Sequence, residues 1–224
     1  MSQEPLVHRL LAERGIPHGF GVRGAPAPAG LVRPHQVHGA RIATAAECEA
    51  APPPEADGVV SSTPGRPVAV VTADCVPILM ASACGSAVAA VHAGWRGLAA
   101  GVVEAGVAAL RGAAPHDARL LAVIGPYIGP CCYEVDAPVL EALREPYAER
   151  VARCARPTRP GHSAIDLGRL ARGALLAEGL SAGAVGALPE ACTRCDSERF
   201  HSFRRDGEKA GRLVHFIVAV GRQP

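Results

Sequence analysis

Residues 68–97 read VAVVTADCVPILMASACGSAVAAVHAGWRG, and their patterning decides the fold class. Val68–Thr72 is a β-branched run suited to a buried strand. It stops at Ala73-Asp74-Cys75. Val76–Ala81 resumes as an apolar strand despite Pro77, and Ala87–Val91 predicts a third that ends at His92-Ala93-Gly94. The stretch is apolar enough to be mistaken for a membrane span. Asp74, Pro77 and Gly85 interrupt it, so strands broken by turns are the better reading. Several strand pairs leave no room for a helix between them, so a purely parallel sheet is ruled out.

Outward from this centre, Leu98–Arg111 has helical spacing, with Gly112 as the expected stop. Leu120–Ile124 reads as a strand. Ala137–Arg144 and Leu167–Glu178 read as helices, the second with Asp166 as N-cap. Leu213–Val220 closes the chain as a strand. Residues 5–14 predict a short helix ended by Gly15, and a strand is expected around Ala40–Ala43. Residues 24–34 and 51–57 are rich in Gly, Ala and Pro and read as loops. The expected fold is α+β (mixed α/β): mixed β-sheets flanked by helices, in one domain spanning 1–224.

The chain has 224 residues, of which 49% are apolar and 20% charged, an ordinary globular balance. Lys and Arg number 23 against 21 Asp and Glu, leaving a net charge of +2. That balance, with only 4 Phe, 3 Tyr and 1 Trp, argues against a nucleic-acid binder. The N-terminal MSQEPLVHRLLAERG shows no signal-peptide pattern. The 8 cysteines therefore read as reduced thiols of a cytoplasmic protein, and no membrane or obligate protein partner is expected.

Three candidate metal ligands fall at comparable places. His38 lies in the loop HQVHG (35–39), Cys75 follows one buried strand, and His92 ends another. Two imidazoles and a thiolate suit zinc, and three protein ligands leave a fourth position open. Spacing alone also permits a plainer reading, in which Cys75 and His92 are packed polar residues at strand ends.

Five segments occur in order: HQVHG (35–39), ADGVVSSTPGRPVAVVTADCVPILM (56–80), VAAVHAGWRGLAAGVV (88–103), IGPCCYEV (128–135) and CTRCDSERFHSFRRDGEKAGR (192–212). Together they resemble the YfiH-like family, also called the polyphenol oxidoreductase laccase-domain family and peptidoglycan editing factor. The resemblance implies a zinc-dependent purine nucleoside phosphorylase with adenosine deaminase activity. It implies His38, Cys75 and His92 as ligands and catalytic centre, and Arg23 in GVRG as a phosphate contact. Only residues 24–34 separate that loop from HQVHG, where the family carries a longer Asn- and Arg-containing stretch.

Phosphorolysis takes a purine nucleoside and phosphate, and guanidinium forks match phosphate oxygens. Arg96, Arg204 and Arg205 join Arg23 as candidates, although Arg204-Arg205 also fits a solvated charge pair. Trp95 is a candidate to stack on a purine, and Phe203 to close the pocket. Asp74 reads as a turn carboxylate or orienting group, and His35 as a supporting or surface residue. Cys192-x-x-Cys195 has no second CxxC to complete a zinc ribbon, so it and Cys131-Cys132 read as packed thiols. Three rivals stand beside the phosphorylase. One is a copper-dependent phenol oxidase, disfavoured because the 9 histidines contain no His-x-His pair. Another is a cysteine hydrolase acting on cell-wall precursors, with Cys75 as nucleophile and His92 as base. The last is a binding module with a closed structural zinc, for which Cys84 or His201 would supply the fourth ligand.

Overall fold

The computed structural model describes residues 3–188 and 192–221. In chain order the strands and helices are α1 (Arg9–Ala12), β1 (His18–Phe20), β2 (Ile42–Thr44), β3 (Gly58–Ser61), β4 (Pro67–Thr72), β5 (Val76–Ser82), β6 (Val88–Ala93), α2 (Trp95–Ala99), α3 (Val102–Ala113), β7 (Leu120–Ile124), β8 (Glu134–Asp136), α4 (Ala137–Cys154), β9 (Ala155–Pro157), β10 (His162–Ile165), α5 (Leu167–Ala177), β11 (Val185–Ala187), α6 (Phe203–Asp206) and β12 (Leu213–Val218). The central sheet runs β11-β7-β5-β6-β3-β2. Its inner pairs are antiparallel, while β11 on β7 and β2 on β3 are parallel. A small antiparallel sheet, β1-β12-β4, packs below it, and β8-β10-β9 forms a third at the side. The mixed α+β architecture is as the sequence predicts.

The alternation of β5 explains the layering. Ile78 and Met80 face helices α2, α3, α4 and α5, packing with Leu98, Leu110, Leu143 and Leu170. Leu79 and Ala81 face the small sheet, packing with Phe20, Val68, Val70 and Ile217. Both faces are covered, so β5 is buried along its whole length and reads as a continuous apolar run.

Several boundaries differ from the sequence expectation. The helix expected over 98–111 is two helices, α2 and α3, divided at Gly101 with φ of +81°. Gly112, the expected stop, lies inside α3. The N-terminal helix shrinks to Arg9–Ala12, and Gly15 turns the chain with φ of +64° just beyond it. The helix starting at Ala137 continues to Cys154 with a non-helical residue at Ala148, just after Pro146. Short strands such as β1, β3 and β8 carry too few residues for periodicity to show.

Leu79 is fully buried between the two sheets. Leu79→Ala should lower the unfolding free energy by about 2–5 kcal/mol in urea titrations. A loss below about 1 kcal/mol would show that the two sheets do not pack tightly there.

Candidate metal centre

Strand register builds the site. In the β5–β6 pair, Pro77 sits opposite His92 and Val76 opposite Ala93. Cys75 lies just before β5 and points to the same face as Pro77, because side chains alternate along a strand. Cys75 and His92 are therefore diagonal neighbours at one end of the sheet. In the β3–β6 pair, Gly58 sits opposite Val91, which puts Asp57 beside His92. The His92 backbone N–H donates to the Asp57 carbonyl at 2.8 Å, and His92 Nδ1–H donates to Asp57 Oδ1 at 2.8 Å.

The HQVHG loop brings the third donor. The Gln36 amide donates to the Val71 carbonyl at 2.8 Å and accepts from the Val71 N–H at 2.7 Å, so it clips the loop to β4 like an added strand residue. The next three backbone N–H groups, of Val37, His38 and Gly39, all donate to the Asp57 carboxylate. To aim them there, His38 adopts a left-handed φ of +62°. The loop thus forms an anion-binding concavity filled by a side chain of its own fold. Gly94, between β6 and α2, completes the arrangement. A Cβ there would lie 3.1 Å from both Cys75 Sγ and the His38 ring.

His38, Cys75 and His92 each offer a donor atom within 4.8 Å of the others. Cys75 Sγ lies 4.0 Å from His38 Nε2, and the two imidazoles meet edge to face at 4.8 Å between centroids. His92 is buried, Cys75 is half-buried and His38 is exposed. The centre is therefore closed underneath and open on the His38 side. Its soft thiolate and two imidazoles fit a zinc-type ion, and copper accepts the same set. Among the described residues no fourth donor joins the group. Cys84 bonds instead to Ser82 and Ser86, and His201 packs on Gly211.

Electrostatics favour the Cys75 thiolate and a charged His92, whose Nε2 proton a bound metal would have to displace. Burial pushes the Cys75 thiol up, but the charge of His92 and hydrogen bonds from both imidazoles outweigh it and bring the thiol down to about 6. Burial opposes charging His92, yet Cys75 and Asp57 together raise it to about 9. Burial also opposes the Asp57 charge, but His92 and the loop N–H groups hold its pKa below the usual carboxylate value.

Asp57 was not among the sequence candidates, although ADG immediately before an apolar strand is a visible signal. Asp74 is the turn carboxylate expected. It accepts from the Thr193 hydroxyl at 2.6 Å, the Ser202 hydroxyl at 3.0 Å and the Arg204 N–H at 2.6 Å. His35 is exposed, and its backbone bonds to Pro54 and Ala56.

The four arginines separate by their partners. Arg205 donates to the carbonyls of Thr193, Arg194 and Phe200 and to Asp206, so its guanidinium serves as a clamp. Arg23 bonds the Phe200 carbonyl and pairs with Asp206 at 3.5 Å. Arg96 is exposed and stacks on Trp95 at 4.4 Å. Arg204 is exposed and lies over Tyr133 at 5.0 Å. Burial and the charge of Cys75 push the Tyr133 phenol up to about 12, while Arg204 and Arg96 oppose the rise.

Residues 22–220 match the family model described as multi-copper polyphenol oxidoreductase laccase. A purine nucleoside phosphorylase of Xylella fastidiosa is 44% identical over 164 residues, covering 72% of this chain and 60% of that protein. The chain thus spans 60% of the length of that relative. A purine nucleoside phosphorylase of Pseudomonas aeruginosa is 40% identical over 182 residues, covering 81% of this chain and 71% of its own length. The crystal structure of YlmD from Geobacillus stearothermophilus superposes with a TM-score of 0.76 at 34% identity, covering 86% of this chain and 74% of that one. A Neisseria meningitidis protein of known structure gives 0.77 at 36% identity, covering 85% and 75%.

Asp57→Asn should weaken zinc binding about 10–100-fold in chelator competition, because His92 loses the carboxylate charge beside its Nδ1–H and one oxygen facing the loop N–H groups becomes an NH2 donor. Unchanged affinity would show that Asp57 does not orient the ligand. In metal-stripped protein, alkylation of Cys75 by iodoacetamide, followed on its own peptide, should rise with pH around a midpoint near 6. Below that pH the thiol is protonated and unreactive. A midpoint at the ordinary value of about 8.5 would refute the electrostatic pairing with His92.

Proposed function

Because the chain belongs to the multi-copper polyphenol oxidoreductase laccase family, we propose that it is a zinc-dependent purine nucleoside phosphorylase that also deaminates adenosine. The observation that carries the reading is the convergence of His38, Cys75 and His92 on one open point. The names of the curated relatives support the reaction class. The whole of residues 1–224 acts as one catalytic domain in this reading. Its 8 free cysteines suit a reducing cytoplasm. No helix among the described residues is long and apolar enough to cross a membrane.

His38, Cys75 and His92 would hold the ion. When bound, zinc supplies Lewis acidity toward a purine or a water beside it. Asp57 keeps the His92 proton on Nδ1, which leaves Nε2 as the donor atom. Arg96 and Arg204 hold phosphate beneath the ribose C1′, where the glycosidic bond breaks as a C–O bond forms. Their stacking on Trp95 and Tyr133 fixes the guanidinium planes. The same rings offer faces for a purine. Phe203, 51% exposed, covers the base from the start of α6. Arg23 and Arg205 fix that loop and orient Arg204.

One observation favours a second reading. A thiol brought down to about 6 beside an imidazole is also the signature of a cysteine nucleophile. The two readings differ in how the thiol responds to metal. A ligand thiolate is shielded from alkylation while zinc is bound, whereas a nucleophile reacts with or without it.

Incubation with adenosine and phosphate should yield adenine and ribose 1-phosphate, and inosine should report the deaminase reaction. His92→Ala should lose the zinc of the His38–Cys75–His92 centre and lower both rates by more than about 100-fold, beyond the cost of removing a ligand's supporting partner. Full phosphorolysis by a His92→Ala protein without zinc at this centre would refute the metal requirement. Untouched adenosine, with Cys75 alkylated equally with and without zinc, would favour the hydrolase.

A further inference from the structure

The fold gathers a second set of soft donors outside this centre. The Sγ atoms of Cys131, Cys132, Cys192 and Cys195 all lie within 4.8 Å of one another. Cys195 Sγ is 3.3 Å from Cys132 Sγ and 3.7 Å from Cys131 Sγ. From sequence alone the two pairs read as packed thiols, because only one of them is a CxxC. The structure corrects this, since an adjacent pair in one loop meets the CxxC of another.

The geometry of both loops favours a common centre. Thr193 N–H donates to the Tyr127 carbonyl at 3.1 Å and Gly129 N–H donates to Cys192 Sγ at 3.3 Å, so the loops run side by side. The N–H groups of Cys132 and Tyr133 both reach the Gly129 carbonyl, making a helix-like turn around Cys131 and Cys132. Asp196 N–H closes a similar turn on the Cys192 carbonyl at 3.1 Å. A tetrahedral ion with zinc–sulfur bonds of about 2.3 Å sets its sulfurs about 3.8 Å apart. A disulfide would need about 2.0 Å for one pair and would strand the other two thiols.

We propose that Cys131, Cys132, Cys192 and Cys195 bind one zinc ion in a closed, four-thiolate structural site, separate from the His38–Cys75–His92 centre. The N–H donated to Cys192 Sγ supports the thiolate form. The ion joins the loop after β7 to the segment leading into α6. Thr193, between two of the ligands, donates to Asp74, and Asp74 precedes Cys75. Tyr133, directly after Cys132, lies under Arg204. The second ion thus pins both walls of the first centre without touching its open face.

Metal analysis of the full chain, purified from zinc-supplied cells without chelator, tests this with two variants. His92→Ala should keep one tightly bound zinc, and the double variant Cys131→Ser, Cys195→Ser should lose one equivalent relative to the unaltered protein. His92→Ala loaded with cobalt(II) should show the strong sulfur-to-cobalt charge-transfer band of a four-thiolate tetrahedral site. This measurement stands even if the double variant does not fold. A His92→Ala protein without tight metal or the cobalt band would overturn the proposal. So would an unchanged metal content in the double variant. A Cys132–Cys195 disulfide in protein purified without air, seen as two fewer hydrogens in the intact mass, would overturn it as well.

Discussion

The carboxylate of Asp57 is fully buried, yet donors surround it: one imidazole and three consecutive backbone N–H groups. Burying a charge costs several kcal/mol unless partners replace water. Hydrogen bonds to a charged group return about 1.5–3 kcal/mol each. The balance closes only when β3, β6 and the 37–39 loop are all in place, so this one group couples three distant pieces of chain. It also explains the left-handed backbone of His38, a conformation worth about 1–3 kcal/mol of strain that the converging N–H groups sustain.

Asp74 performs the same task on the opposite flank of Cys75. It too sits in the left-handed region, at φ of +99°, and it draws Thr193, Ser202 and the Arg204 backbone over the mouth of β5. The consequence is a division of labour within RRD. The Arg205 guanidinium is consumed by three backbone carbonyls and Asp206, while that of Arg204 lies over Tyr133 and donates, among the described residues, only to the Glu134 carbonyl, at 3.1 Å. Adjacent arginines that look equivalent in sequence are therefore different objects.

This contrast shows what the sequence could and could not disclose. The long apolar strands β4, β5, β6 and β7 were legible because two covered faces leave an unbroken apolar run. From the residues alone, His38, Cys75 and His92 were legible only as candidates at strand ends. The family resemblance named them as ligands, and the β5–β6 register then explains why Cys75 meets His92. Asp57 was overlooked because its importance lies in register with a strand more than 30 residues away, which is invisible to local pattern. Gly101 divided a helix whose apolar spacing continues across the break. The cysteine cluster was missed because its two halves lie on loops brought together only by tertiary folding.

The distribution of histidines bears on the copper label carried by the family's description. A multicopper cluster needs many imidazoles in close array. Here His18 is buried, bonded to the Ile16 carbonyl and the His8 N–H. His215 is buried against the Thr72 hydroxyl, and burial brings its pKa down to about 3. His35, His116 and His162 are exposed or half-buried and lie outside both donor clusters. Only His38 and His92 converge with a thiol among the described residues. That donor set would suit one ion with a free face, not an array of metals that passes electrons.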